Sequence, residues 1–146
     1  WQVSNVGGSS PVWSRDGKWV AYTSNSTGAS QVYVTPFPGS GARNIISTGG
    51  GAATPVWMRD GKRLLYASGT QVIEATLSFS PTLSVVSRKI VYEGSFATSV
   101  IHENFDIAPD QKQYLILKNE FDNSQAIMIY DWKYELLSRL KGPTNH

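Results

Sequence analysis

The chain has 146 residues and a mass of 16.0 kDa, enough for a domain with a core of its own. Lys and Arg number 13 against 11 acids, and the formal surplus of +2 gathers into no basic run or stripe, which excludes a dedicated nucleic-acid binder. There is no Cys, which excludes a disulfide framework, a Cys-based zinc site and a thiol nucleophile, and no stretch reaches the ~20 apolar residues of a membrane span.

Aromatic residues at 12% and 13 glycines, among many Ser and Thr, suit short strands and frequent turns, so an all-β class is predicted. Residues 1–6 read as an orphan outer strand, because Trp1–Asn5 precedes Gly7-Gly8-Ser9-Ser10-Pro11 as Ile45–Thr48 precedes Gly50-Gly51-Ala52-Ala53-Thr54-Pro55. Residues 7–48 hold four predicted strands: Val12-Trp13, 19–24, 31–37 and 43–48. Arg15-Asp16-Gly17-Lys18 joins the first two, since Asp-Gly is a strong hairpin signal. Asn25-Ser26-Thr27-Gly28 makes the next turn, and Pro36 and Pro38, which cannot donate to a ladder, stop the third strand. Residues 49–94 repeat the plan, with strands near 55–58, 63–68, 71–78 and 88–93. Residues 95–132 hold strands near 103–108, 113–118 and 125–132. In residues 133–146, Tyr134, Leu137, Leu140 and Lys141 fall at helical spacing before the stop Gly142-Pro143, which predicts a short amphipathic helix and tail.

The repeat is explicit. Residues 11–22 and 55–66 are identical at eight of twelve positions, at a spacing of 44 residues. A looser third copy runs from Asn104 through Leu117, with Asp110 in the place of Asp16 and Asp60, and Ile107 in the place of Trp13 and Trp57. Gln111 stands there where the turn Gly stood, so a different turn is expected. Four short strands per 44 residues match the blade of a β-propeller, and blades must stack face to face to bury both surfaces. Trp13, Trp57, Ile107, Tyr22, Tyr33, Tyr66 and Ile73 are therefore expected to pack between blades.

Pro-x-Trp-Ser-x-Asp-Gly-Lys at 11–18, with Ala21-Tyr22, then Ser24-Asn25-Ser26-x-Gly28 and Gln31-Val32-Tyr33-Val34, resembles the TolB-like, WD40-like propeller repeat. Trp13 through Val34 carries the fullest match, Pro55–Ser68 a second and Phe105–Leu117 a degraded third. The resemblance implies a non-enzymatic bacterial scaffold, periplasmic or extracytoplasmic, from a family whose rings have six or more blades. This chain supplies about three, which is a partial propeller. Two completions follow: a homodimer in which each chain lends its first strand to the other's last blade, or the remainder of a longer chain. A first residue of Trp, not Met, is what a processed or excised piece carries.

Catalytic signatures are missing. There is no Gly-x-Ser-x-Gly, His-Glu-x-x-His, P-loop or EF-hand pattern. Of the two histidines, His146 is the last residue, while His102 and Asp106 alternate away from Glu103 in a strand, which disfavours a metal cluster. No cofactor or metal is expected. Propeller geometry puts the innermost strands at the central channel, so Ser9, Ser10, Thr54, His102, Glu103 and Asn104, with Ala53, are the candidate channel-mouth binding residues. Asp16, Gly17, Asp60, Gly61 and Asp110 are assigned to repeat turns. Arg15, Lys18, Arg59, Lys62 and Arg63 decorate the same turns as a mildly basic rim able to meet an acidic partner. The expected function is a scaffold that binds a protein or peptide. The alternatives are a regulatory or sensor propeller attached to a bacterial kinase or serine peptidase, and a propeller for small ligands or carbohydrates.

Overall fold

The computed structural model describes residues 7–39, 41–95, 105–118 and 125–129. The chain divides into two compact units, residues 1–94 and 95–146, taken here in turn. The predicted orphan strand (1–6) and the C-terminal helix and tail (133–146) lie outside the described residues, as do His102, Glu103 and Asn104.

The first unit holds two four-stranded antiparallel sheets of the same plan. One is β1 (Ser9–Trp13), β2 (Trp19–Ser24), β3 (Gln31–Pro36) and β4 (Asn44–Ile45); the other is β5 (Ala52–Trp57), β6 (Arg63–Ser68), β7 (Gln71–Ser78) and β8 (Ser84–Glu93). The central strands β2, β3, β6 and β7 agree with the sequence reading to within a residue. The outer strands do not. β1 and β5 start three residues earlier than predicted, at Ser9 and Ala52, because each continues through a bulge: register shifts between Ser9 and Val12, and again between Ala53 and Val56. Pro11 and Pro55, which lack an N–H, fall inside those shifts. β4 shrinks to two residues because the Ser47 hydroxyl, not a backbone carbonyl, accepts from the Val32 N–H at 2.9 Å. β8 instead extends to ten residues.

The core lies between the two sheets. Ala21, Val32, Val34 and Ile46 of the first sheet and its flank cluster with Ala52, Leu64, Tyr66, Ile73, Ala75 and Leu77 of the second. Each fully buried large side chain here contributes about 1.5–3 kcal/mol. The Trp57 indole N–H donates to the Val12 carbonyl at 3.3 Å, and Arg88 Nε donates to the Ile46 carbonyl at 2.9 Å, so polar bonds also cross between the sheets. Tyr66 and Ile73 thus pack where the repeat places them. On the other face of the first sheet, Val20, Tyr22 and Tyr33 are buried, the two tyrosine rings stacked at 5.6 Å, with Phe37 against them. Trp13 departs from expectation. It stands edge-on to Phe37 at 4.6 Å and is 54% exposed, whereas its repeat partner Trp57 is half-buried between the sheets.

The second unit holds a three-stranded antiparallel sheet in the order β11-β10-β9, from β9 (Phe105–Ile107), β10 (Tyr114–Lys118) and β11 (Gln125–Ile129). Phe105 and Ile116 are buried, and they pair directly across β9 and β10. Among the described residues there is no helix, and none is long and apolar enough to cross a membrane.

Candidate functional site

The turn that carries the repeat is built the same way three times. The N–H of Gly17 donates to Ser14 O at 2.9 Å, that of Gly61 to Met58 O at 3.0 Å, and that of Gln111 to Ala108 O at 2.9 Å. The carboxylate then accepts the N–H two residues on: Lys18 to Asp16 at 3.1 Å, Lys62 to Asp60 at 2.9 Å, Lys112 to Asp110 at 3.0 Å. Asp-Gly is therefore not the centre of a two-residue hairpin, because a type I′ or II′ turn would need positive φ at the Asp, and Asp16 and Asp60 lack it. Only the closing residue is left-handed: φ is 69° at Gly17, 65° at Gly61 and 60° at Gln111. The expectation of a different third turn is corrected. Gln111 takes the glycine conformation, at a steric cost glycine does not bear.

The two complete turns of the first unit frame an open cleft of about 630 Å³. Arg15, Asp16 and Lys18 line it from one sheet, and Arg59, Asp60, Gly61 and Lys62 from the other. Trp19 and Phe79 form its floor, their rings 4.9 Å apart and tilted. Both carboxylates are held by their own turns. Asp16 accepts from the Ser14 hydroxyl at 2.6 Å and from the Lys18 N–H, and these bonds hold its pKa below the usual carboxylate value. For Asp60, burial opposes ionisation, but Arg63, bonded at 2.5 Å, and the N–H groups of Lys62 and Arg63 outweigh it, and the pKa is again lowered. Arg63 reaches on to Glu74 at 3.3 Å. Among the described residues, Arg15, Lys18, Arg59 and Lys62 enter no ion pair.

A second cleft of about 380 Å³ is lined by Gly7, Gly8, Ser9, Thr23, Ser24, Asn25 and Ser30. Of the predicted channel-mouth residues that are described, it contains only Ser9. Ser10 and Thr54 sit at the two bulges, both half-buried, with φ of 51° and 50°. Those are left-handed values, uncommon for Ser and an outlier for β-branched Thr. Buried Thr23 Oγ1 on the cleft wall has no hydrogen-bond partner among the described residues. Ser26 and Thr27 of the second turn both bond Tyr33 Oη, at 3.1 and 3.2 Å, so that turn is anchored to the core. No group of three His, Asp or Glu able to hold a metal comes together among the described residues.

Sequence reasoning identifies the basic rim but not Trp19 or Phe79 as its floor. Trp19 reads as the start of a core strand, Phe79 falls just past the predicted strand 71–78, and no local signal marks either as cleft-lining.

No family model matches the chain, and no curated protein matches it. Among solved structures it is similar to TolB from Acinetobacter baumannii, with 19% identity and a TM-score of 0.65, over 90% of this chain. The chain spans only 32% of that TolB chain. Likeness at this identity is a likeness of fold: the chain has a TolB-like β-propeller fold, and its antiparallel sheets are consistent with propeller blades.

Proposed function

We propose that this chain is a non-enzymatic β-propeller scaffold that binds a protein or peptide, and that its three sheets are three blades of a larger ring. The observation that carries the reading is the contrast between Trp57 and Trp13. Trp57 packs between two blades and bonds the neighbour's backbone; Trp13, one repeat earlier, is 54% exposed. A large aromatic left 54% exposed at the position where its repeat partner packs between sheets favours a further blade against that face. A second copy of the chain supplies that blade most simply, through a symmetric, self-complementary contact, with the rest of a longer propeller as the other source.

The solution mass tests the source. Light scattering over a range of concentrations should give twice 16.0 kDa for a closed pair. A mass of 16.0 kDa at every concentration overturns the second copy and leaves the longer chain. Esterase and glycosidase assays on the purified chain should show no turnover; activity that survives repurification would sink the scaffold reading.

A further inference from the structure

We infer that the cleft between the turns of the first two blades is a docking site for an acidic peptide segment, with carboxylates held by Arg15, Lys18, Arg59 and Lys62 and an apolar side chain seated on Trp19 and Phe79. This deepens the protein-binding reading and rests on it, but it does not depend on how the ring is closed.

Charge comes first. Four cations and two carboxylates line the cleft, an excess of two positive charges, equal to the formal surplus of the whole chain. The two carboxylates are already engaged, Asp16 by the Ser14 hydroxyl and the Lys18 N–H, Asp60 by Arg63 and the Lys62 N–H, which offsets part of their repulsion of an incoming anion. The four cations have no ion-pair partner among the described residues. Two of them are arginines, whose planar forks grip carboxylates with two parallel bonds.

Shape and floor then decide which anion. A volume of about 630 Å³ is within the range of ligand-sized clefts, roughly 300–1,000 Å³, and admits a few residues of extended peptide. Trp19 and Phe79 offer a tilted aromatic surface, which a peptide can match with one apolar side chain between its acids. A nucleic-acid backbone needs a continuous cationic track, and here the cations are four residues at two turns, with no basic run in the sequence extending from them. The acidic peptide is the better fit.

The test uses the full chain and three probes at low salt: a capped hexapeptide of glutamates around one phenylalanine, its glutamine counterpart, and oligothymidylate of equal length. Binding is read by anisotropy of a labelled probe and by tryptophan emission. The glutamate peptide should bind at least tenfold more tightly than the glutamine peptide, and raising the salt should weaken it. The double variant Arg59→Glu with Lys62→Glu should lose at least tenfold, with an unchanged denaturation midpoint. Trp19→Phe should remove most of the emission change while binding persists by anisotropy. Equal binding of the two peptides by the unaltered chain overturns the inference without reliance on any variant. So does tighter binding of oligothymidylate, which would make the partner a nucleic acid. A chain that assembles to twice its mass yet ignores the glutamate peptide overturns this site alone and leaves the scaffold reading intact.

Discussion

At the scale of single residues, the three turn copies form a controlled series. Gly17, Gly61 and Gln111 share one left-handed conformation and one hydrogen bond, and at Gly17 and Gly61 an added Cβ would meet nothing within 4 Å. Space is therefore not the issue; backbone strain is. Gln111→Gly should stabilise the chain by about 0.5–1 kcal/mol, and Gly61→Ala should destabilise it by about 1 kcal/mol, both read from denaturant midpoints. The carboxylates give a pH signature. Asp16 and Asp60 have pKa values lowered by folding, so their contribution to stability is present above the unfolded value, ~3.9, and is lost as pH falls through the folded value. Asp16→Asn should flatten the fall of Tm with acid below about pH 4 relative to the unaltered chain; an unchanged acid profile would contradict this assignment.

At the scale of elements, the central strands are legible in the sequence because each is an apolar run bounded by turn residues. Val20–Ser24, Val32–Thr35, Leu64–Ala67 and Val72–Ala75 are buried without a break, as strands covered on both faces must be. The outer strands are less legible for particular reasons. Nothing at Ser10 or Thr54 announces a left-handed residue, since neither is Gly or Asn, and the bulges they create extend β1 and β5 past Pro11 and Pro55. Ser47 shortens β4 through a side-chain bond that no periodicity encodes. β8 is a ten-residue edge with Val86 and Ile90 at 65% and 49% exposure. Such an edge invites pairing with another chain, and two register shifts along β7–β8 together with exposed Arg88 and Lys89 oppose it. Lys89→Val should raise concentration-dependent aggregation with little change in the unfolding midpoint, followed by static light scattering.

At the scale of the whole molecule, the repeat makes one residue type stand in two environments. Trp57→Ala should cost about 3–5 kcal/mol, because it empties a packed contact between blades and removes the bond to Val12. Trp13→Ala should cost the isolated chain far less, since Trp13 is 54% exposed, but should lower the mass of any assembly that closes over this face. Equal losses of stability for the two would show that Trp13 already belongs to the core. The fold-level likeness to TolB spans 90% of the chain and speaks to the sheets, while the basic cleft is argued from its own charges and rings.

The turn-held carboxylates also bear on how such a surface changes over generations. Asp16 and Asp60 fold the hairpins through hydrogen bonds to the N–H groups of Lys18 and Lys62, and no side-chain hydrogen bond from the four cations enters those bonds. Folding instructions and surface chemistry thus sit on neighbouring but separate residues. Mutation can rewrite the cations, one partner at a time, without unsettling the blade beneath. Among descendants of this repeat, Asp and the left-handed position should be inherited stubbornly, while their charged neighbours drift with whatever they meet.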